Sequence, residues 1–401
     1  MKALFWISLF TVFYTFIGYG LVLYLMVRVR RLFAPKKTMS EAEDTLPTLT
    51  LVIAAYNEAE ILEEKIENTK KLRYPEGKLE ILFVTDGSTD GSEEVIARHE
   101  GIRGMHSPER RGKIHAIHRA MATVRTDAVV FTDANTFLNE DALIRMARHY
   151  ADPKVGAVSG EKRVMVDAVA DATAGEGLYW KYESALKKWD SELYSVVGAA
   201  GELFSVRTAL YEDVPADTVL DDFMISMKIA QKGYKIVYEP EAYAMEHGSE
   251  NIKEELKRKI RIAAGGMQSI IRLNSLLNPV SYPLLSFQYI SHRVLRWTVT
   301  PLLMILCLFS NMVIVADNQS LVYTGLLVAQ IAFYTAALGG LLLEQRKLKV
   351  KALFVPYYFC MMNYAVLAGI HRYFFSGQNA AWEKARRKAI ATVDARKMEE
   401  A

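Results

Sequence analysis

The chain has 401 residues, 51% of them hydrophobic and 24% charged, with a formal net charge of +3. That length allows one or two domains, and so small a charge gives no footprint for nucleic acid, which is excluded as an expected partner. The only cysteines, Cys307 and Cys360, lie in apolar segments, so neither a disulfide framework nor a zinc site is indicated.

The apolar residues are unevenly spread. Residues 3 to 27, 297 to 316, 318 to 343 and 352 to 370 carry no charge. Each run is close to the roughly 20 residues that cross a hydrocarbon core of about 30 Å. The first is longer than the roughly 7 to 15 apolar residues of a signal peptide and runs into Arg28, Arg30 and Arg31, so it reads as a retained helix. The expected organisation is an N-terminal membrane helix with a basic linker (1–44), a globular domain (45–250), interfacial amphipathic helices (251–296), C-terminal membrane helices (297–375) and a basic tail (376–401).

Lys and Arg are enriched on cytoplasmic flanks. Only Lys2 precedes the first segment, whereas Arg28, Arg30, Arg31, Lys36 and Lys37 follow it. The globular domain is therefore expected on the cytoplasmic side of a cell (inner) membrane that the chain crosses several times. A plain count of four spans would leave the tail outside. Its seven basic residues, from Arg372 to Lys397, argue for the cytoplasm instead. Pro356 breaking the last segment, or residues 280 to 296 entering the membrane, would reconcile the two.

Within the globular domain, Leu49 to Ala55 (LTLVIAA) reads as a buried strand. Glu58 to Leu72 follows as a helix, with Ile61, Leu62, Ile66, Thr69 and Leu72 on one face. Leu79 to Val84 is a second strand. A second helix starts near Asp90, whose carboxylate can cap it. Lys113 to Val124 is a third helix, and Ala128 to Thr132 (AVVFT) the next strand. Strands alternating with helices predict a parallel sheet covered on both faces. Ligands of such sheets bind beyond the carboxyl ends of the strands. Neither G-x-G-x-x-G nor G-x-x-x-x-G-K-[ST] is present, which argues against a Rossmann dehydrogenase or a P-loop NTPase.

Polar turns stand at those strand ends: Tyr56-Asn57-Glu58, Asp86-Gly87-Ser88 and Asp133-Ala134-Asn135. Any one of them is weak on its own, an ordinary turn, but three at parallel strand ends converge on one crevice. The stretches VIAAYNEAE (52–60), VTDGSTDGS (84–92), RRGKIHAI (110–117), FTDANT (131–136) and LDDFMISMKIAQKGYKIVYEPEA (220–242) together resemble the family-2 inverting glycosyltransferases, the superfamily of cellulose, chitin and hyaluronan synthases. The membrane segments resemble that family's membrane-bound branch. The fold implied is GT-A, a Rossmann-like α/β mixed, mostly parallel sheet with helices on both faces, here with transmembrane and interfacial helices added.

The resemblance implies a role for each matching residue. Ala55, Tyr56 and Glu58 would line a uridine pocket, and Asp86 would hold uracil or ribose. Asp133-Ala134-Asn135 occupies the family's D-x-D place, so Asp133 would bind ribose or metal and Asn135 stands where a second carboxylate is usual. Mg²⁺ or Mn²⁺ is the expected cofactor, both favouring oxygen ligands. Lys113 would sit near the nucleotide. Arg110, Arg111 and Lys113 open a helix, where cations are disfavoured unless an anion binds. Asp222 matches the catalytic base, because single displacement requires a group to take the acceptor's proton. Asp221 and Asp222 would also suit plain helix capping.

Gly201 and Glu202, in the small-residue turn Gly198–Glu202, and Asp221 are placed on the acceptor side. His247 is a candidate approach to metal or diphosphate, although loop histidines usually do neither. Arg261 matches the Arg of the processive members' Q-x-x-R-W and would serve the nucleotide-sugar, while Arg258 and Ile262 replace the Gln and the Trp.

Ile252, Leu256, Ile260, Ala263, Met267, Ile270 and Ile271 recur at helical spacing with basic residues largely elsewhere. That pattern reads as an interfacial helix against membrane lipids, or as a helix packed on the soluble core. The function expected is transfer from a nucleotide-sugar, with UDP implied, to a glycan or lipid-linked acceptor. The runners-up are transfer to a polyprenyl phosphate and a catalytically silent sugar-nucleotide-binding subunit. Polysaccharide-export subunits are candidate partners. With Ile262 in the Trp position, and with Trp6 and Trp297 assigned to membrane segments, addition of one or a few sugars is expected rather than a long polymer.

Overall fold

The computed structural model describes residues 1–33, 45–165, 174–247, 251–317, 320–346 and 350–376. The expected basic linker and nearly all of the basic tail lie outside the described residues.

Eight strands form one sheet: β1 (Leu49–Ala55), β2 (Leu79–Thr85), β3 (Arg103–Met105), β4 (Ala128–Asp133), β5 (Thr136–Leu138), β6 (Val155–Met165), β7 (Leu203–Arg207) and β8 (Lys235–His247). Their order is β3-β2-β1-β4-β7-β6-β8-β5. β1 runs parallel to β2 and β4, β2 to β3, and β6 to β8. β7 is antiparallel to β4 and β6, and β5 to β8. The sheet is thus mixed and mostly parallel, as the family resemblance implies, rather than wholly parallel as the alternation of strands and helices alone predicts.

β1 is buried along its whole length because both faces are covered. Successive side chains point to opposite faces. Leu51 and Ile53 join a core with Leu62 and Ile66 of the helix Ala59–Lys70. Val52 joins another, with Ile114 and Ile117 of the helix Lys113–Met121 and Phe223 and Met227 of the helix Asp221–Gln231. Each such large apolar side chain contributes about 1.5–3 kcal/mol on burial. Asp90 caps two helices rather than one. Its carboxylate accepts from the backbone of Ser92 at 3.1 Å, within the helix Ser92–Ala97, and from Ala59 at 2.9 Å.

Among the described residues, four helices are long and apolar enough to cross a membrane: Lys2–Phe33, Val299–Asp317, Leu321–Gln345 and Ala352–Phe375. The first is tied to the helix Ala174–Leu193, where Tyr19 donates to Asp190 and Arg31 pairs with Glu192 at 2.6 Å. Pro356 does not break the last apolar segment; it lies inside one helix, Lys351–Phe375. Pro283–Tyr289 and its continuation to Trp297 pack on the soluble core through Leu285 and Tyr289.

The amphipathic helix is Ile252–Arg272, capped by Asn251 accepting from the Glu254 backbone at 3.0 Å. Its apolar stripe is shared out. Ile252 and Leu256 pack on Tyr357, Tyr358 and Met361 of the last helix. Ile270 enters the soluble core, and Ile271 is 43% exposed. The helix therefore forms the joint between the sheet domain and the apolar helices.

Candidate active site

The sheet register brings the three polar turns together. Ala54 pairs with Asp133 and Ala55 with Thr85, so Tyr56, Asp86 and Ala134 follow at one edge. Asn57 takes a left-handed backbone (φ 51°) and accepts from the Thr89 backbone at 2.9 Å, tying two of the turns. The Arg110 guanidinium lies over the Tyr56 ring, 4.0 Å from its centroid, and Ala55 and Glu58 are buried beside it in sequence. Asp86 is buried, and its carboxylate accepts from the backbones of Arg111 (2.8 Å) and Gly112 (2.6 Å) and from Arg119 (3.3 Å). These bonds hold in place the loop that launches Lys113.

A cleft of about 350 Å³ opens beside Asp133 and reaches the apolar helices, lined by Lys113, Asp133, Gly201, Asp221, Asp222 and Arg261 among others, whereas Ala55, Tyr56, Glu58, Asp86 and Asn135 are not part of its lining. Lys113 Nζ stands 2.9 Å from Asp133 Oδ1 and 3.2 Å from Asp221 Oδ2. Burial alone would push its pKa down, but Asp133, Asp221 and Asp222 outweigh burial and hold the ammonium above the ordinary lysine value. A cation at the start of a helix is thus explained by carboxylates as well as by any bound anion.

Asp222 opens the helix Asp221–Gln231 and is pushed up to about 7, first by burial and then by Asp221, against the pull of Lys113. Ser226 donates to the Asp222 carbonyl at 2.7 Å and accepts from the Ala199 backbone at 2.9 Å, locking the small-residue turn onto this helix. In that turn, Glu202 accepts from Lys162 at 2.6 Å and from Arg258 at 3.3 Å. Burial would raise its carboxyl, yet the two cations keep it well below the usual range. Arg258 is therefore committed to Glu202 and Glu246, not free to replace the missing Gln.

Among the described residues no group of three His, Cys, Asp or Glu forms a ready metal cage. Asp133 and Asn135 nevertheless fit an ion that takes further ligands from a substrate phosphate. The Asn135 side-chain oxygen is buried without a hydrogen-bond partner among the described residues, a neutral oxygen ligand with no other task. His247 closes β8, and its side chain lies outside the described residues.

With this geometry in view, residues 50–214 match the family described as Glycosyl transferase family 2. The chain carries a family-2 glycosyltransferase domain. Among similar curated proteins is the poly-beta-1,6-N-acetyl-D-glucosamine synthase of Staphylococcus aureus (strain COL), 28% identical over 236 residues. The match spans 57% of this chain and 57% of that relative's length. The synthase of the same name from Staphylococcus epidermidis is 24% identical over 286 residues, 69% of this chain and 67% of that one. Among solved structures, the mannosyltransferase PcManGT from Pyrobaculum calidifontis, in complex with GDP-Man and Mn²⁺, superposes with a TM-score of 0.70. It is 23% identical, and the match covers 94% of this chain and all of that one, a likeness of fold.

Three residues at this candidate site escape the sequence reading. Lys65 is fully buried, donates to the Thr136 carbonyl at 2.5 Å, and is held down to about 7 by burial, with Asp133 opposing. It underpins the turn carrying Asp133 and Asn135. Its place among Ile61, Leu62, Ile66 and Thr69 on one helical face was the available signal. Trp297, assigned above to a membrane segment, lines the cleft, its ring against Gly266 and 5.3 Å from that of Phe223. An aromatic platform is therefore present despite Ile262, and the tryptophan argument for short products loses its basis. Trp189 packs on Tyr24. Arg372, treated above only as part of the basic tail, lines the same cleft.

Proposed function

We propose that the chain is a membrane-bound inverting glycosyltransferase moving a sugar from a nucleotide-sugar to a hydroxyl of a glycan or lipid-linked acceptor. The observation that carries this reading is Asp222, a half-buried carboxylate pushed up to about 7 in the cleft that also holds Asp133 and Lys113. A carboxylate with that pKa is half ionised near neutrality and well matched to accept a proton as an acceptor hydroxyl attacks. One base suffices for single displacement, unlike retaining hydrolysis, which needs a second carboxylate as nucleophile.

Tyr56, stacked by Arg110, supports a base pocket with Ala55 and Glu58 on its walls. Asp86 orients the Arg111–Gly112 loop and through it Lys113, whose charge, with that of Arg261, suits a diphosphate. Asp133 and Asn135 would hold Mg²⁺ or Mn²⁺, which would neutralise charge on the departing diphosphate. Mn²⁺ in the mannosyltransferase of similar fold supports a divalent ion. Gly201, Glu202 and Asp221 border the acceptor's approach. The name of the Staphylococcus relatives favours a glycan acceptor. The excess of Lys and Arg after the first apolar helix favours a cytoplasmic catalytic domain at an inner membrane.

UDP is the nucleotide implied by the family resemblance, whereas the structural neighbour was solved with GDP-Man. The test is incubation of the purified chain with UDP- and GDP-linked sugars and Mn²⁺, scoring nucleotide release and sugar transfer beside Asp222→Asn. Release from one nucleotide class, lost in the variant, is expected. Absence of turnover with every donor would favour the silent-subunit reading.

A further inference from the structure

Arg372 has no part in the reading above, yet it lines the cleft with Asp133, Asp222 and Arg261. It comes from the C-terminal end of the last apolar helix, and Arg261 from the amphipathic helix. The two helices are fixed together at Gly369. A Cβ there would meet Ala263 Cβ at 2.5 Å and the Ile260 carbonyl at 2.9 Å, so only glycine permits the crossing. Neither arginine forms an ion pair or side-chain hydrogen bond among the described residues. Burial, then Arg258, and also Arg372, press Arg261 below its ordinary value, against Asp221 and Asp133. Partly buried guanidinium groups without a directly paired carboxylate are costly, and a phosphate matches their planar fork.

The same wall continues as Met362, Ala365 and Val366, which line the cleft on the face that Gly369 and Arg372 share at helical spacing. These residues belong to a helix apolar enough to cross a membrane. The cleft thus presents an apolar strip, then a pair of cations, then a base. A free glycan offers neither an apolar tail for the strip nor a phosphate for Arg372.

We propose that the acceptor is a lipid whose hydroxyl-bearing head group is joined to its apolar chain through a phosphate, and that Arg372 holds that phosphate, beside the Arg261 that faces the donor diphosphate. This inference rests on the glycosyltransferase reading. In the reaction the head-group oxygen bonds to the sugar's anomeric carbon as the carbon–oxygen bond to the nucleoside diphosphate breaks. The hydroxyl proton passes to Asp222, and the lipid phosphate is unchanged.

The test uses the full chain in non-ionic detergent micelles with three probes. Phosphatidylinositol carries tail, phosphate and hydroxyls. Monoglucosyldiacylglycerol lacks the phosphate, and inositol 1-phosphate lacks the tail. Binding of phosphatidylinositol at least tenfold tighter than either of the others is expected. Arg372→Gln should remove that advantage, and Arg372→Lys should recover part of it. Equal binding of the two lipids, or inositol phosphate matching the lipid, would overturn the proposal. So would Arg372→Gln weakening nucleotide-sugar binding and not lipid binding, because Arg372 would then belong to the donor site. Donor turnover by the wild-type chain is scored in parallel. Its absence with all donors sinks the underlying enzyme reading, whereas failure of the lipid arm alone sinks only this one.

Discussion

Gly201 stands so close to Asp222 that a Cβ built on it would lie 3.0 Å from the Asp222 carboxylate oxygen Oδ2 and 3.2 Å from its carbon. Because Ser226 fixes both the turn and the helix start, the carboxylate is the part that must give way. Gly201→Ala is therefore expected to lower transfer about tenfold or more, since sub-ångström displacement of a reacting group is costly. Nucleotide affinity and unfolding temperature should stay close to wild type. Wild-type turnover in the alanine variant would show that the Asp222 carboxylate can shift freely.

The placement of Asp133 at the crevice was legible in the sequence because LTLVIAA and AVVFT mark buried strands, and parallel strands deliver their carboxyl ends to one edge; Asp222 could be placed beside it only through the family resemblance. The mixed character of the sheet could be named only through resemblance. The antiparallel β7, between β4 and β6, follows no local pattern. Lys65 was visible within an apolar stripe, but what lay opposite it was not. Trp297 and Arg372 reach the cleft only because Gly266 and Gly369 let helices meet closely. Periodicity records which face is apolar, not which neighbour covers it.

Asp222→Asn should abolish transfer, a loss of about 10²-fold or more, while leaving nucleotide affinity nearly intact. It should also stabilise the fold above neutrality. The folded carboxyl is raised to about 7 from an ordinary value near 3.8. Its stabilising contribution is thus present below about pH 4 and lost as pH rises through about 7. The asparagine variant should melt above wild type at pH 8 and converge with it near pH 4. Thermal unfolding at both pH values checks the sign, and a variant that melts lower at pH 8 would point to a structural role for the ionised carboxylate.

The rate should fall on acidification below about pH 7, because a protonated Asp222 cannot take the acceptor's proton. Lys113 pulls the Asp222 pKa down. Lys113→Met should therefore move this acid limb to higher pH, besides weakening donor binding. A kcat profile at saturating donor separates the two effects. An unmoved limb would assign it to another group.

Asp133→Ala should remove dependence on added Mn²⁺ or Mg²⁺ together with most donor affinity, measured by calorimetric titration of nucleotide with and without the ion. Lys113 would keep its contact with Asp221, so the cleft should survive the change and the fold remain intact. Full activity of this variant in excess chelator would refute a metal role for the position.

The tail after His371 should lie on the same side of the membrane as the catalytic domain. Arg372, near the end of the last helix, lines the cleft that holds Asp133 and Asp222. The start of that helix packs on the end of the preceding apolar helix, where a Cβ on Gly340 would meet the Leu353 carbonyl. Farther along, Gly369 packs on Ala263 of the amphipathic helix. A helix laid along the sheet domain's own joint can begin and end on one side, although its length and composition would allow a crossing. The seven basic residues from Arg372 onward agree with a cytoplasmic location. A cysteine introduced at Ala381, in a chain with Cys307 and Cys360 replaced, should react with an impermeant maleimide only after the membrane is opened from the catalytic side. Labelling of intact cells from outside would mean that the last helix crosses, and that Arg372 reaches the cleft by some other arrangement of the helices.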